Sequence, residues 1–295
     1  MRLFVIGAEG QVARALREIA SQAHDVTFGF GARPDLDVLQ PASVAKALAA
    51  FGPDLVVNPA AYTAVDRAEI EPEQAFAVNR DGARAVASAA ADRGVPLIHL
   101  STDYVFDGKK QEPYSEADPV GPQGVYGRSK LEGERAVAET NPKHIVLRTS
   151  WVYAPFGTNF VRTMLRLGAE RERLTVVDDQ RGCPTYAPDI ARAIVAIARM
   201  WAASGWDAKY AGVTHLAGPD MRTWCGFARE IVEGAAQRGG RLIPVDPITT
   251  SDYPTPATRP ANSCLSTQRL QALFGLSLPP LKTSLDDCLD RLLRH

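Results

Sequence analysis

Over roughly the first 150 residues, short apolar runs alternate with stretches in which apolar positions recur every three or four places. That alternation predicts strands and helices in turn, the pattern of a doubly wound parallel sheet. The predicted strands are Leu3 to Ile6, Val26 to Phe28, Leu55 to Asn58, Pro96 to Leu100 and Ile145 to Arg148. Between the first two, Val12, Ala15, Leu16 and Ile19 stand at i, i+3, i+4 and i+7, so one helix face is apolar and must be covered. A β-α-β unit results. Beyond about residue 155 the pattern loosens, with helices expected over Phe160 to Leu167, Asp189 to Trp201 and Trp224 to Ala236, and a Pro-rich stretch, YPTPATRP, at 253–260. The fold expected is α/β: a Rossmann-type doubly wound parallel sheet over residues 1–153, then a smaller C-terminal α/β substrate lobe over 154–295. A short strand near Val213 to Leu216, within 213–217, is expected to return to the main sheet.

Composition narrows the partners. The 295 residues carry 33 Lys plus Arg against 34 Asp plus Glu, and no long run of one sign, which argues against nucleic acid and anionic membrane. No stretch approaches about eighteen apolar residues and the first apolar run is short for a signal peptide, so the expected location is cytoplasmic. Cys183, Cys225, Cys264 and Cys288 lie far apart with no C-x-x-C pair, as structural reduced thiols would.

Three local patterns carry chemistry. In VIGAEGQVA, Gly7, Gly10 and Ala13 fall where a strand turns into a helix. A glycine turn followed by a helix N-terminus lets a pyrophosphate approach backbone N–H groups, although the spacing also suits a tight turn with no ligand. The second strand ends without the carboxylate that usually holds an adenosine ribose; Gly29 and Phe30 stand there and Arg33 follows. A 2′-phosphate can then pair with Arg33, so NADPH is expected over NADH, unless Arg33 is only a solvated loop charge. Asp37 and Val38, a few residues on, count as further cofactor contacts.

Tyr126 and Lys130 stand four apart, on one face of a predicted helix. A phenol titrates near pH ~10, and a neighbouring ammonium is expected to lower that value and fit Tyr126 to protonate a carbonyl oxygen. The spacing alone favours plain exposed helix surface. The stretch LIHLSTDYVFDG changes the balance, because its strand opens into Ser101 and Thr102 at the carboxyl end of the sheet, where ligands bind in such folds. Thr102 is expected to give the carbonyl a second hydrogen bond. The next strand brings Ser150 and Trp151 to the same rim.

The motifs GxxGQV, STDYVF, YGRSKLEGE, RTSWVY and YPTPATRPANSCLST, in this order from residue 2 to beyond residue 270, resemble the extended short-chain dehydrogenase/reductase family. Within it they are similar to the reductases that complete dTDP-L-rhamnose. The resemblance implies reduction, by NADPH or NADH, of the C4 keto group of dTDP-6-deoxy-L-lyxo-4-hexulose. It also implies Thr102, Tyr126 and Lys130 as the catalytic trio, Lys130 also holding the nicotinamide ribose. Gly10, Gln11 and Val12 would meet the pyrophosphate, Ala61, Tyr62 and Thr63 the cofactor, and Asp103 and Trp151 the sugar. The chain departs from the family at Pro59 and Tyr62, where alanine and histidine are usual, and at Ala15, where some members place a glutamate that holds a bridging Mg²⁺; no metal is expected.

For the dTDP-sugar diphosphate, Arg259 is the candidate cation with Asn262 assisting, the alternative being that a local carboxylate holds Arg259. Asn159 and Phe160 are expected sugar and base contacts, and Gln180, Cys183 and Pro184 a loop over the site. Trp201, Trp206 and Trp224 read as packing, His99 as a hydrogen-bonded core residue and His144 as peripheral. A monomer or homodimer is expected. Two other functions stay open on this fold: a non-catalytic regulatory subunit resembling that of methionine adenosyltransferase, and an NDP-sugar epimerase that retains NAD. Thr102 and Trp151 favour the enzyme over the regulatory protein, which is associated with serine at the first and no tryptophan at the second.

Overall fold

The computed structural model describes residues 1–293, and its first strand, β1 (Arg2–Ile6), is buried from Leu3 to Ile6. A strand apolar on both faces must be covered on both sides. Helix α1 (Gln11–Ala20) covers one side with Val12, Ala13, Ala15 and Leu16, and β2 (Thr27–Gly31) pairs in parallel from Arg2↔Thr27 to Ile6↔Gly31. The chain continues through α2 (Pro41–Phe51), β3 (Leu55–Asn58), the short helices α3 (Val65–Ala68) and α4 (Pro72–Phe76), a π-helical turn at Ala77–Gly82 and α5 (Ala83–Ala91). Then come β4 (Leu97–Thr102), α6 (Val125–Thr140) and β5 (His144–Thr149). The rest comprises β6 (Val152–Tyr153), α7 (Phe160–Glu170), β7 (Leu174–Val177), β8 (Arg181–Gly182), β9 (Thr185–Tyr186), α8 (Ala187–Ser204), β10 (Gly212–His215), β11 (Arg222–Thr223), α9 (Trp224–Ala236), β12 (Val245–Ile248), α10 (Gln268–Phe274) and α11 (Leu281–Leu293).

Six strands form one parallel sheet in the order β2-β1-β3-β4-β5-β10. Succession along the chain runs one way from β1 to β2 and the other way from β1 to β3. The crevice over the carboxyl ends at that reversal is where this architecture binds ligands. The returning strand is Gly212–His215, paired with Ile145 to Arg148.

Two cores divide the chain differently from a cut at 153/154. α8 packs its Ala187, Ile190, Ala191 and Ile194 with Val12, Leu16, Val5 and Leu100, and Leu270 and Phe274 of α10 join the same core. α7, α9, α11 and the β7/β12 pair, with Tyr153 of β6 and Tyr186 of β9, build the second core, around Val161, Met164, Phe227, Ile231 and Leu285. The smaller lobe is therefore discontinuous in sequence, because α8 is needed to cover the sheet.

The second strand runs to Gly31 instead of stopping near Phe28. Gly29 and Phe30, placed at the expected strand end, belong to the strand: a Cβ at Gly29 would stand 2.7 Å from Phe4 and Phe51. The strand end is thereby moved to Gly31, which brings Arg33 two places from it. The fourth strand likewise extends to Thr102, through full pairing with β5 up to Thr102↔Thr149. α9 begins at Trp224 and ends at Ala236, as its apolar spacing predicts.

Candidate active site

Gly7 leaves β1 at φ +79°, donating its N–H to Gly31 O at 2.8 Å, and a Cβ there would lie 2.9 Å from that of Ala60. Only glycine suits both demands. Gly10 is the N-cap of α1, with no side chain capping it and no acidic residue in the first turn. The N–H groups of Gln11 and Val12 have no partner within the helix. An uncapped, carboxylate-free helix N-terminus beside a glycine turn fits a pyrophosphate. Arg33 is exposed beyond the end of β2. The Asp37 carboxylate is committed to Leu39 N–H at 2.9 Å, and Val38 packs on Gly82. Ala61, Tyr62 and Thr63 follow β3 at the sheet's reversal. Asn79 holds the Tyr62 backbone on both sides, accepting from its N–H at 2.8 Å and donating to its carbonyl at 3.1 Å. The Tyr62 hydroxyl donates to Glu71 at 2.7 Å.

β4 delivers Ser101, Thr102 and Asp103 to the crevice, all nearly without solvent contact. The Thr102 hydroxyl donates to Asp103 Oδ1 at 2.9 Å and opposes the rise of the Tyr126 phenol. Burial holds the Asp103 carboxyl up at about 6, with the nearby Ser263 and Thr102 hydroxyls opposing. Three buried polar atoms at the ends of β4 and β5 have no partner within the protein: Ser101 Oγ, Asp103 Oδ2 and Thr149 Oγ1. Such atoms are costly unless something binds them, so they fit a polyhydroxylated ligand.

α6 carries Tyr126 and Lys130 and is held closely against the sheet. Gly127 lets it approach, since a Cβ there would overlap the Tyr104 carbonyl. Farther along, Glu134 takes a two-pronged ion pair from Arg148 of β5, at 2.9 and 2.6 Å, with both side chains buried. Lys130 donates to Leu100 O at 2.7 Å and is 2 % exposed. Burial brings its ammonium down to about 8, with Glu134 opposing. The expectation that Lys130 lowers the Tyr126 phenol is overturned within the protein alone: burial, then the charges of Asp103 and Tyr104, raise it, and only Thr102 opposes. Sequence spacing put the two side chains on one face, but the ammonium is committed to Leu100 O and is not among the groups that act on the phenol, so desolvation decides the shift.

Trp151 lies on the opposite wall. It has a left-handed backbone, φ +47°, which is rare for a non-glycine residue and marks local strain. Its indole stacks on Trp224, rings 3.4 Å apart at 4°. A Cβ on Gly182 would overlap it. We expect Gly182→Ala to cost about 1–3 kcal/mol of stability through this overpacking. Thermal melts check this, and an unchanged Tm would show that the indole moves aside at no cost.

Several expected ligand contacts are spent inside the protein. Asn159 caps α7, accepting from Arg162 N at 3.2 Å, and its amide donates to Ala154 O at 2.8 Å and to Gln11 Oε1 at 2.9 Å, tying the glycine loop to the second core. Asn262 donates to Lys110 O and Glu112 O, at 2.8 and 3.0 Å, and accepts from Cys264 N, so within the protein it braces a loop. Arg259 is held by Asp66 at 2.7 Å, the local carboxylate of the alternative reading, yet it faces Tyr104 on the crevice side. Gln180 donates to Thr250 at 2.9 Å. Phe160 lies in the second core's aromatic cluster with Trp224 and Phe227. Among the other tryptophans, Trp201 and Trp206 pack together below the sheet. His99 is buried, bonded to Asn58 at 3.2 Å. The four cysteines are unbridged and buried. A cavity of about 440 Å³ lined by Met1, Asp54, Pro96, Lys143, Trp201 and Trp206 lies at the amino ends of the strands, away from this chemistry.

Sequence reasoning missed Asp66, Glu69 and Asn79, which orient the site from the segment after β3. No local motif marks them; their partners lie far along the chain. No helix among the described residues is long and apolar enough to cross a membrane.

A family model described as RmlD substrate binding domain matches residues 1–294. A dTDP-4-dehydrorhamnose reductase of Sinorhizobium fredii is 51 % identical over 279 residues, covering 95 % of this chain and 93 % of that one. The crystal structure of such a reductase from Clostridium acetobutylicum superimposes with a TM-score of 0.91, at 36 % identity and 99 % coverage of both chains. Another, from Bacillus anthracis and in complex with NADP, gives 0.87 at 34 % identity and 97 % coverage of both.

Proposed function

The chain belongs to the RmlD substrate binding domain family, whose model spans almost its whole length, and on that premise we propose that the crevice reduces the keto group of a dTDP-sugar. The reaction is reduction of the C4 keto group of dTDP-6-deoxy-L-lyxo-4-hexulose to give dTDP-L-rhamnose, with a nicotinamide dinucleotide as reductant. The observation that carries the site assignment is the convergence of the Tyr126 phenol, the Thr102 hydroxyl and unpartnered Asp103 Oδ2 at the carboxyl end of β4.

Bound NADPH or NADH supplies hydride to C4. Tyr126 supplies the proton: its raised phenol stays protonated at neutral pH and yields that proton to the more basic oxygen that forms as C4 is reduced. Thr102 keeps the phenol in place and turns its hydroxyl between Asp103 and the reacting oxygen. Lys130, anchored on Leu100 O, reaches the nicotinamide ribose and supplies positive charge beneath the phenol. Asp103 accepts a sugar hydroxyl, Trp151 walls the ring, and Arg259 exchanges its Asp66 partner for the diphosphate. Gly7, Gly10, Gln11 and Val12 hold the pyrophosphate, with Ala61, Tyr62 and Thr63 beside the cofactor. These groups all come from one chain, so a monomer suffices and a homodimer would carry two sites. Both ligands are metabolites of the cell interior, which supports a cytoplasmic location.

Consumption of NADPH and NADH by the pure protein, given freshly made dTDP-4-keto-6-deoxy-L-sugar, tests the reading. Oxidation of neither would overturn it. Arg33→Ala should weaken NADPH about tenfold while leaving NADH within twofold, and equal binding of both cofactors by the unaltered protein would remove Arg33 from the assignment. Stoichiometric NAD retained through purification would favour the epimerase alternative.

A further inference from the structure

α6 begins without a cap of its own. Its N-cap is Gly124, which has no side chain to offer, and no acidic residue stands in its first turn. A helix start like this leaves N–H groups unsatisfied and a partial positive charge uncompensated. The partner comes from elsewhere: Glu69, the residue that closes α3, places Oε1 2.7 Å from the N–H of Val125. Gly124 is matched to it, since a Cβ at that position would lie 2.7 Å from the same oxygen.

Tyr126 is the next residue. Its ring packs on the small cluster of Ala68, Ala75 and Val125, with Tyr62 and Phe76 beside it, so α3, α4 and the start of α6 form one unit. Lys130 and Glu134 fix the later turns to β4 and β5. Glu69 fixes the first turn, on which the phenol stands.

We infer that Glu69 is a positioning residue for the proton donor, acting as an N-cap supplied to the Tyr126 helix from 56 residues away in the chain. Loss of the cap frays the first turn and moves the phenol off the reacting oxygen. A displacement of about 1 Å is enough to cost on the order of a hundredfold in rate. The inference rests on the reading of Tyr126 as acid, and the two fail separately: an active Tyr126→Phe protein would sink the acid, whereas an unimpaired Glu69→Ala protein would sink only the cap.

The experiment measures kcat, the NADPH Kd and the solvent isotope effect on kcat for Glu69→Ala, Glu69→Gln and Gly124→Ala. Glu69→Ala should lower kcat at least tenfold and enlarge the solvent isotope effect, as proton transfer becomes limiting, with Kd within twofold. Glu69→Gln keeps an acceptor oxygen and should recover kcat to within about threefold. Gly124→Ala pushes the carboxylate aside and should lower kcat comparably, but add nothing in a protein already carrying Glu69→Ala. Unchanged kcat in Glu69→Ala, no recovery in Glu69→Gln, or additive losses in the double variant would each overturn the inference. If Glu69→Ala does not fold, the Gln and Gly124 variants still decide it.

Discussion

Tyr126→Phe is expected to lower kcat about a thousandfold while leaving the NADPH dissociation constant within twofold. The phenyl ring fills the same space against Ala68, Ala75 and Val125, so packing and the cofactor's surroundings survive. What is lost is the proton. General acids of this kind contribute about 10²–10⁴ in rate, and burial here keeps the phenol protonated over the whole neutral range. Steady-state rates with the 4-keto sugar, paired with cofactor titration, measure both quantities. Retention of more than a tenth of the activity would rule Tyr126 out as the acid.

Lys130→Met should separate stability from activity in opposite directions. Burial brings the ammonium from an ordinary 10.5 to about 8, so below pH 8 folding must carry a charge into a dry site. A shift of that size corresponds to roughly 3 kcal/mol lost from the folded state at neutral pH. Methionine has the length to fill the space without the charge. The variant should therefore be more stable at pH 7, and inactive by a factor of a hundred or more, because nothing then supports the phenol or the ribose. The sign fixes the pH window: between about 8 and 10.5 the unfolded chain binds the proton and the folded one does not, so the unaltered protein gains stability as pH rises through that window. The difference between the two proteins should shrink accordingly. Urea unfolding at pH 7 and pH 9.5 tests it, and a less stable variant at pH 7 would show that the Leu100 hydrogen bond outweighs desolvation.

The motifs were legible because each is local. A glycine turn after an apolar strand, two hydroxyls at a strand end, and a tyrosine four places before a lysine all state their geometry over fewer than a dozen residues. The same locality ended β2 too early, at Phe28, because Gly29 has its place in the strand only through the close approach of Phe4 and Phe51. The asparagines show what locality leaves out. Asn159 reads as a sugar contact and Asn262 as an aid to Arg259, and in the fold their amides also satisfy backbone groups that only the folded loops bring near. The Arg259 alternatives were stated correctly and only the tertiary contact with Asp66 showed which partner it has without a diphosphate.

Taken alone, the sequence determined the α/β class, the strand that returns near residue 213 and the placing of Tyr126 and Lys130 on one helix face, since periodicity follows from backbone repeat lengths; the family and its reaction came from resemblance of its motifs. Tertiary structure decided what no spacing can express: the discontinuous second lobe, the rise of the phenol, and the capping of its helix by Glu69. Those depend on desolvation and on contacts between residues far apart in the chain, and both exist only once the chain has closed around them.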